Sequence, residues 1–149
     1  LDDIRDSQDP ASGAIPDTAP FNFGAMPGDP VCISNVLTAW LLYKHFGNKK
    51  ALEKNFDSMF RWSQYLSSRV NDGILSDSYI GDWAPPVNQA IPGSIGTSSV
   101  SANTPGALVS TAHYIYMLKI LSKIALVLKD EDLYLKPQHE RHNQYLQRK

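Results

Sequence analysis

Apolar residues recur at helical spacing between residues 49 and 70. They stand three or four positions apart, while charged residues fill the positions between them and are expected to face water. This two-faced pattern predicts an amphipathic helix over Lys49–Val70. The apolar stripe contains Leu52, Phe56, Met59, Phe60 and Leu66, and the charged face contains Lys50, Lys54, Asp57 and Arg61.

Another helix is predicted over Pro30–Phe46, directly before the Lys49–Val70 helix in the sequence. Asp29 followed by Pro30 is a typical helix start, and Gly47 is suited to a left-handed helix end. A role as the N-terminal cap of this helix would fully explain an aspartate at position 29. Because only Gly47 and Asn48 separate the two helices, we expect an antiparallel αα-hairpin. The apolar face of the earlier helix would contain Ile33, Val36, Leu37, Trp40 and Leu41, and Trp62 would fill the core.

A third helix, predicted over Pro105–Leu128, is apolar almost all round. At ~36 Å it is long enough to span a bilayer. Lys119 and Lys123 argue against that, since a lysine at a bilayer centre costs about 2.5–3.5 kcal/mol. We therefore expect no membrane partner, but a helix that packs against other helices on two sides. The sequence predicts only two other long helices, which suggests that some packing partners of this helix are missing and that the chain is part of a larger protein.

The remaining stretches are predicted to be mostly irregular. Residues 9–29 contain four prolines, so no helix or strand is expected there. Ile74–Ile80 could form a short strand after the Asn71-Asp72-Gly73 turn, and residues 87–103 again read as loop. A helix capped by Asp130 would be interrupted at Pro137. We therefore assign residues 1–136 to one domain fragment and residues 137–149 to a polar, disordered tail.

Composition excludes several classes of function. The 149 residues are 42% hydrophobic and 19% charged, with a net charge of −1. Without a basic stripe, nucleic acid is not an expected partner. Cys32 is the only cysteine, so a disulfide within the chain is excluded. His139 and His142 are three positions apart, which suits one helix face, but they lie in the tail without carboxylate support. No cofactor motif is present either, so we predict neither metal nor cofactor.

Gly81-Asp82-Trp83, followed by Ala84-Pro85-Pro86, is the strongest candidate for a ligand site. The flat Trp83 indole could stack on the apolar face of a sugar, or it could pack at the edge of the core. Asp82 could accept hydrogen bonds from sugar hydroxyls, although capping of its own turn is the more common role. Asp17 has the same two interpretations. We predict Trp83, Asp82 and Asp17 as substrate-binding residues.

A pair of catalytic carboxylates is not evident. Glycoside hydrolysis needs two carboxyl groups on either side of the bond, ~6.5–9.5 Å apart in an inverting enzyme. The glutamates Glu53, Glu131 and Glu140 lie on a predicted solvent face or near the polar tail. We therefore predict no catalytic residue in this chain.

Taken in order, the motifs of the chain resemble bacterial α-L-rhamnosidases of glycoside hydrolase family seventy-eight. The resemblance extends over about residues 1–136 and depends on the order of the motifs rather than on any single one. The matching motifs are Asp6-Ser7-Gln8, Gly13-Ala14-Ile15-Pro16-Asp17, Gly28-Asp29-Pro30, Tyr43-Lys44-His45-Phe46-Gly47-Asn48, Arg61-Trp62, Asn71-Asp72-Gly73, Gly81-Asp82-Trp83 and Thr104-Pro105.

The resemblance implies an all-α fold, part of an (α/α)6 toroid in which paired helices surround a central pocket. It also implies an inverting hydrolase of terminal α-L-rhamnose, with Trp83 at an aromatic wall of the sugar pocket. The family's general acid would precede Leu1 and its general base would follow Lys149, so this chain alone is expected to be inactive. Cys32 stands where the family often has a second aromatic residue.

Two alternatives remain open at this point. One is a non-catalytic carbohydrate-binding fragment that self-associates through exposed apolar helix faces. The other is a piece of a different toroid glycosidase, such as a trehalase-like or glucoamylase-like enzyme, because the Gly-Asp-Trp loop alone does not identify the sugar.

Overall fold

The computed structural model describes residues 1–21, 24–78, 80–81 and 104–128. Within these ranges the protein contains four helices and no strand. They are α1 (Asp2–Asp6), α2 (Ser34–Phe46), α3 (Lys49–Ser68) and α4 (Gly106–Leu128). The all-α prediction and the three long helices are thus confirmed. The predicted loop at 87–103 and the tail at 137–149 lie outside the described residues.

Helix α3 lies at the centre of the fold and follows its sequence pattern closely. All five residues of the predicted stripe are buried, and Trp62 is fully buried as well. The Asn48 side chain accepts a hydrogen bond from the Ala51 N–H, 3.2 Å away, and so caps the helix start. Arg61 departs from the prediction: it is half-buried and donates to backbone carbonyls of the preceding loop instead of facing water.

Helix α2 packs against α3 across the Gly47–Asn48 connection, which confirms the predicted hairpin. Gly47 has φ 65° and ends α2 in the left-handed conformation, as expected. The predicted start at Pro30 is wrong, because α2 begins at Ser34 and has no side-chain cap. On the predicted apolar face, Ile33 and Val36 are buried and Leu41 is exposed, while Ala39, which was not assigned to that face, is fully buried.

Helix α4 packs against both α2 and α3. One face is buried and contains Met117, Ile120, Leu121 and Ile124. The opposite face exposes Leu108, Ile115 and Leu126. By length and composition alone α4 could also cross a membrane, a property that it shares with the core helices of many soluble proteins. Its contacts with two helices agree with the sequence-based interpretation.

Residues 71–78 connect α3 to the region of the candidate site. Asn71 and Ile74 exchange two backbone hydrogen bonds of 2.9 Å around Asp72 and Gly73, both of which have positive φ. The predicted turn is therefore confirmed. The predicted strand is not: this bridge is isolated, and the backbone N–H and C=O of Leu75 bond to side chains of α4 instead of to a neighbouring strand.

Candidate functional site

The loop that follows α1 is fixed to α3 by two long polar side chains. The Gln8 amide donates to the carbonyls of Gly13, at 2.7 Å, and Ser58, at 3.0 Å. Arg61 donates to the Asp9 and Pro10 carbonyls, each at 2.8 Å. Gly13 has φ +80° and runs so close to α3 that an added Cβ would lie 2.9 Å from the Arg61 carbonyl oxygen. These contacts determine where the chain turns toward Asp17.

Asp17 organises the second half of this long loop. One carboxylate oxygen accepts from the Ala25 N–H at 2.7 Å, and the other accepts from the Asp29 N–H at 2.8 Å. Gly24 passes so close that a Cβ there would lie 2.5 Å from the same carboxylate. The Asp17 carboxylate therefore holds its own loop, and the residue is only half-buried.

Asp29 is fully buried and joins two distant parts of the chain. Its carboxylate accepts from the Val31 N–H at 2.9 Å, from the Ser78 hydroxyl at 3.1 Å, and from the Ile80 N–H at 2.6 Å. The prediction that capping explains Asp29 is wrong. The carboxylate does bind a nearby backbone N–H, but its other partners lie about fifty positions further along, next to Gly81.

Helix α4 holds the same segment from the other side. Ser110 donates to the Leu75 carbonyl, and the Thr111 hydroxyl accepts from the Leu75 N–H at 3.1 Å. The absence of a side chain at Gly106 lets the first turn of α4 approach Ser78, since a Cβ would lie 2.5 Å from the Ser78 carbonyl oxygen. Leu75, Ser78 and Ile80 are thus held between Asp29, in the loop before α2, and the first turns of α4.

The Cys32 thiol lies beside these acidic groups and donates to Asp17 across 3.7 Å. Burial, together with the negative charges of Asp17 and Asp29, raises the pKa of Cys32 from 9.0 to about 12. The thiol is therefore protonated at neutral pH, which makes it a poor nucleophile and a poor metal ligand. No group of three His, Cys, Asp or Glu residues in the described ranges is placed to hold a metal ion.

The sequence analysis identified only part of this arrangement. Asp17 lies in the described site, while Asp82 and Trp83 lie outside the described residues, so their predicted roles stay predictions. Asp29 and Ser78 were missed. A helix-start motif masked the role of Asp29, and a single serine before an apolar pair gives no sequence signal. Chemically, the site offers hydrogen-bond acceptors with fixed positions, which suits a polyhydroxylated ligand.

Almost the whole chain matches one known protein family. Residues 1–148 match the family described as the bacterial alpha-L-rhamnosidase 6 hairpin glycosidase domain. An alpha-L-rhamnosidase of Alteromonas sp. (strain LOR) is 33% identical over 89 residues, which cover 60% of this chain and 9% of that protein. The chain thus corresponds to a small part of that relative.

Two solved structures share the fold. The alpha-L-rhamnosidase from Dictyoglumus thermophilum matches with a TM-score of 0.74 and 30% identity, over 88% of this chain and 14% of that one. The Streptomyces avermitilis alpha-L-rhamnosidase complexed with L-rhamnose matches with a TM-score of 0.66 and 22% identity, over 97% of this chain and 12% of that one. The predicted fold class, part of an (α/α)6 toroid, is confirmed. The chain belongs to the bacterial α-L-rhamnosidase six-hairpin glycosidase domain family.

Proposed function

We propose that this chain forms one wall of an L-rhamnose pocket in a hydrolase that inverts configuration at terminal α-L-rhamnose. In this proposal Trp83 stacks on the sugar, and Asp82 and Asp17 accept hydrogen bonds from its hydroxyl groups. Aromatic stacking combined with carboxylate acceptors satisfies both the apolar face and the polar rim of a sugar.

One observation carries the proposal. The loop of Asp17 and the segment of Ile80 and Gly81 meet at one buried residue, Asp29, whose N–H donates to Asp17 and whose carboxylate accepts from the Ile80 N–H. The predicted binding residue Asp17 and Gly81, which directly precedes the other two in the sequence, therefore lie in segments that converge although they are far apart along the chain. The match to the Streptomyces avermitilis alpha-L-rhamnosidase complexed with L-rhamnose supports the choice of sugar.

We further propose that the chain does not hydrolyse glycosides alone. Inverting hydrolysis needs a protonated acid and a separate base with space for a water between them. In the described site, the carboxylates of Asp17 and Asp29 are both occupied by backbone N–H groups. These bonds give both carboxylates a structural role, that of holding their loops, which requires no proton transfer.

Titration with L-rhamnose and D-glucose, followed by tryptophan fluorescence and calorimetry, tests the proposal. We expect a saturable response to L-rhamnose, a much weaker one to D-glucose, and no hydrolysis of an aryl rhamnoside. Trp83→Ala should abolish the response, whereas Trp40→Phe, a change in α2, should retain it. A chain that ignores L-rhamnose would contradict the binding proposal, and turnover above the buffer rate would contradict the proposed inactivity.

A second candidate function is self-association, favoured by the exposed face of α4. Leu108 is 61% exposed and Leu126 57% exposed, and both lie on the same side of the helix as Ile115. Light scattering during the same titration distinguishes the two. Assembly that grows with concentration and is lost in a Leu108→Glu, Leu126→Glu variant would support self-association. A monomer at all concentrations would exclude it.

A further inference from the structure

The two oxygens of the Asp29 carboxylate serve different backbone groups. Oδ1 accepts from the Val31 N–H at 2.9 Å, and Oδ2 accepts from the Ile80 N–H at 2.6 Å. The Ser78 hydroxyl lies 3.1 Å from both oxygens. The side chain has no exposed surface, so these donors replace the water that a carboxylate would otherwise bind.

This arrangement requires a carboxylate rather than an amide. An asparagine has one acceptor oxygen and an NH₂ group that only donates. At position 29 it would turn the NH₂ group toward either Val31 or Ile80, and that backbone N–H would lose its partner. A leucine of similar size would leave both N–H groups without an acceptor. The position therefore requires two acceptor oxygens, one for each backbone N–H.

The contacts of Asp29 bridge 49 positions to Ser78 and 51 positions to Ile80. On its other side the segment is held by α4, through Ser110 and Thr111 at Leu75 and through the close approach of Gly106 to Ser78. The described contacts with α4 thus end at Ser78. Asp29 alone makes the described hydrogen bond to Ile80, the position next to Gly81.

We propose that Asp29 is a positioning residue of the sugar site: it fixes Ser78 and Ile80 against the loop that precedes α2, and so sets the position of Gly81, which directly precedes Asp82 and Trp83 in the sequence. The link to the sugar rests on the proposed function. Asp29 has no exposed atom with which to touch a ligand, so it acts through the backbone that it holds. Because Asp17 accepts from the Asp29 N–H, one residue orders both converging loops.

Asp29→Asn in the full 149-residue chain, compared with Asp77→Asn, tests this role. Asp77 immediately precedes Ser78 but pairs with Arg69 on the surface, so it is a matched loss of charge in the same segment. The first readout is the Ile80 amide in NMR spectra, assigned through Ile80→Val. We expect a downfield, slowly exchanging amide in the wild-type chain that becomes fast-exchanging only in Asp29→Asn. An unchanged amide would overturn the proposal.

The second readout is L-rhamnose affinity, measured well below the melting temperature of each variant. We expect Asp29→Asn to raise the Kd about tenfold, the scale of one lost hydrogen bond to a charged group, and Asp77→Asn to leave it unchanged. If Asp29 had only a structural role, Asp29→Asn would lower the melting temperature without changing the Kd. That result would overturn the proposal. If the wild-type chain binds no L-rhamnose, the proposed function fails, and the Ile80 amide still decides whether Asp29 holds the segment.

Ser78 provides a second route if Asp29→Asn does not fold. Ser78→Ala removes the hydroxyl donor but leaves the Ile80 bond, so we expect a smaller rise in Kd and faster exchange of the Ile80 amide. Ser78→Thr keeps the hydroxyl and should restore both values. Equal behaviour of the alanine and threonine variants would overturn the role of this contact.

Discussion

The α2–α3 hairpin and the loops of the candidate site are held together by different forces. In the hairpin, apolar side chains from both helices are removed from water, as at Val36, Leu52 and Met59. In the site loops, whose described parts are residues 13–21, 24–32, 71–78 and 80–81, Ile15 and Leu75 also reach the core. The path of these loops is nevertheless fixed by hydrogen bonds, and the carboxylates of Asp17 and Asp29 accept four of them from backbone N–H groups.

The two kinds of contact have different consequences: apolar burial stabilises the fold as a whole, whereas hydrogen bonds fix the positions of individual loop groups. Apolar burial is non-directional and contributes in proportion to area, so the hairpin can tolerate small shifts without losing its packing. A hydrogen bond contributes less net free energy but fails when its partners move by a fraction of an ångström. We therefore expect substitutions in the hairpin to act on global stability, and substitutions in the site loops to act on local order.

The largest effect is expected from Leu52→Ala in α3. Leu52 is fully buried, and a Leu→Ala change in a core typically lowers the free energy of unfolding by about 2–5 kcal/mol, because it loses apolar burial and leaves a cavity. Urea denaturation followed by circular dichroism measures the change. Lys50→Ala, on the exposed face of the same helix, should stay within about 0.5 kcal/mol. If the two variants were equally stable, packing would not be what holds the hairpin.

A smaller and more local effect is expected from Asp17→Ala. Two backbone N–H groups, of Ala25 and Asp29, would lose their acceptor, at a cost of about 1–3 kcal/mol for each one that stays buried. Hydrogen exchange should show faster exchange at these two amides, with α3 unchanged. Asp3→Ala, an exposed residue of α1, is the control. Equal acceleration in α3 would show that the site loops and the hairpin unfold together.

The smallest effect at neutral pH is expected from Cys32→Ser, and it should grow only in alkaline solution. The pKa of Cys32 is raised to about 12 in the folded chain, whereas an unfolded thiol has its ordinary value near 9.0. Below pH 9 both states keep the proton. Between these values the unfolded chain releases it first, so the wild-type free energy of unfolding falls as pH rises.

Serine does not ionise in this range, so Cys32→Ser should show a shallower loss of stability between pH 9 and 12 than the wild-type chain. Urea denaturation at several alkaline pH values measures both slopes. Identical slopes would mean that the thiol is not shielded by burial and by its two acidic neighbours.

The sequence predicted the helices well because their signals are local and redundant. In α3, five apolar positions at helical spacing all agree, and an asparagine and a glycine mark its boundary with α2. Each signal depends on residues within a few positions, where helix geometry fixes which side chains share a face. The resemblance to α-L-rhamnosidases was confirmed in the same way, since it depended on an ordered series of local motifs.

The site was predicted less well because the same local signals were ambiguous there. Asp29-Pro30 has the form of a helix start, yet the helix begins at Ser34. Ile74–Ile80 has an apolar pattern compatible with a strand, yet Leu75 is bonded to α4 side chains. A carboxylate accepts equally well from a neighbouring N–H and from one fifty residues away. Local sequence does not distinguish these cases.

By itself the sequence determined the all-α class, the hairpin, the long apolar helix and the family. Only the tertiary structure decided that Asp29 would meet Ser78 and Ile80, and that Asp17 would order the loop around Asp29. The physical reason is the distance along the chain between the interacting residues. Helix periodicity is set by neighbours along the chain, whereas the partners of a buried carboxylate are set by which distant donors the packed helices bring within hydrogen-bonding distance of it.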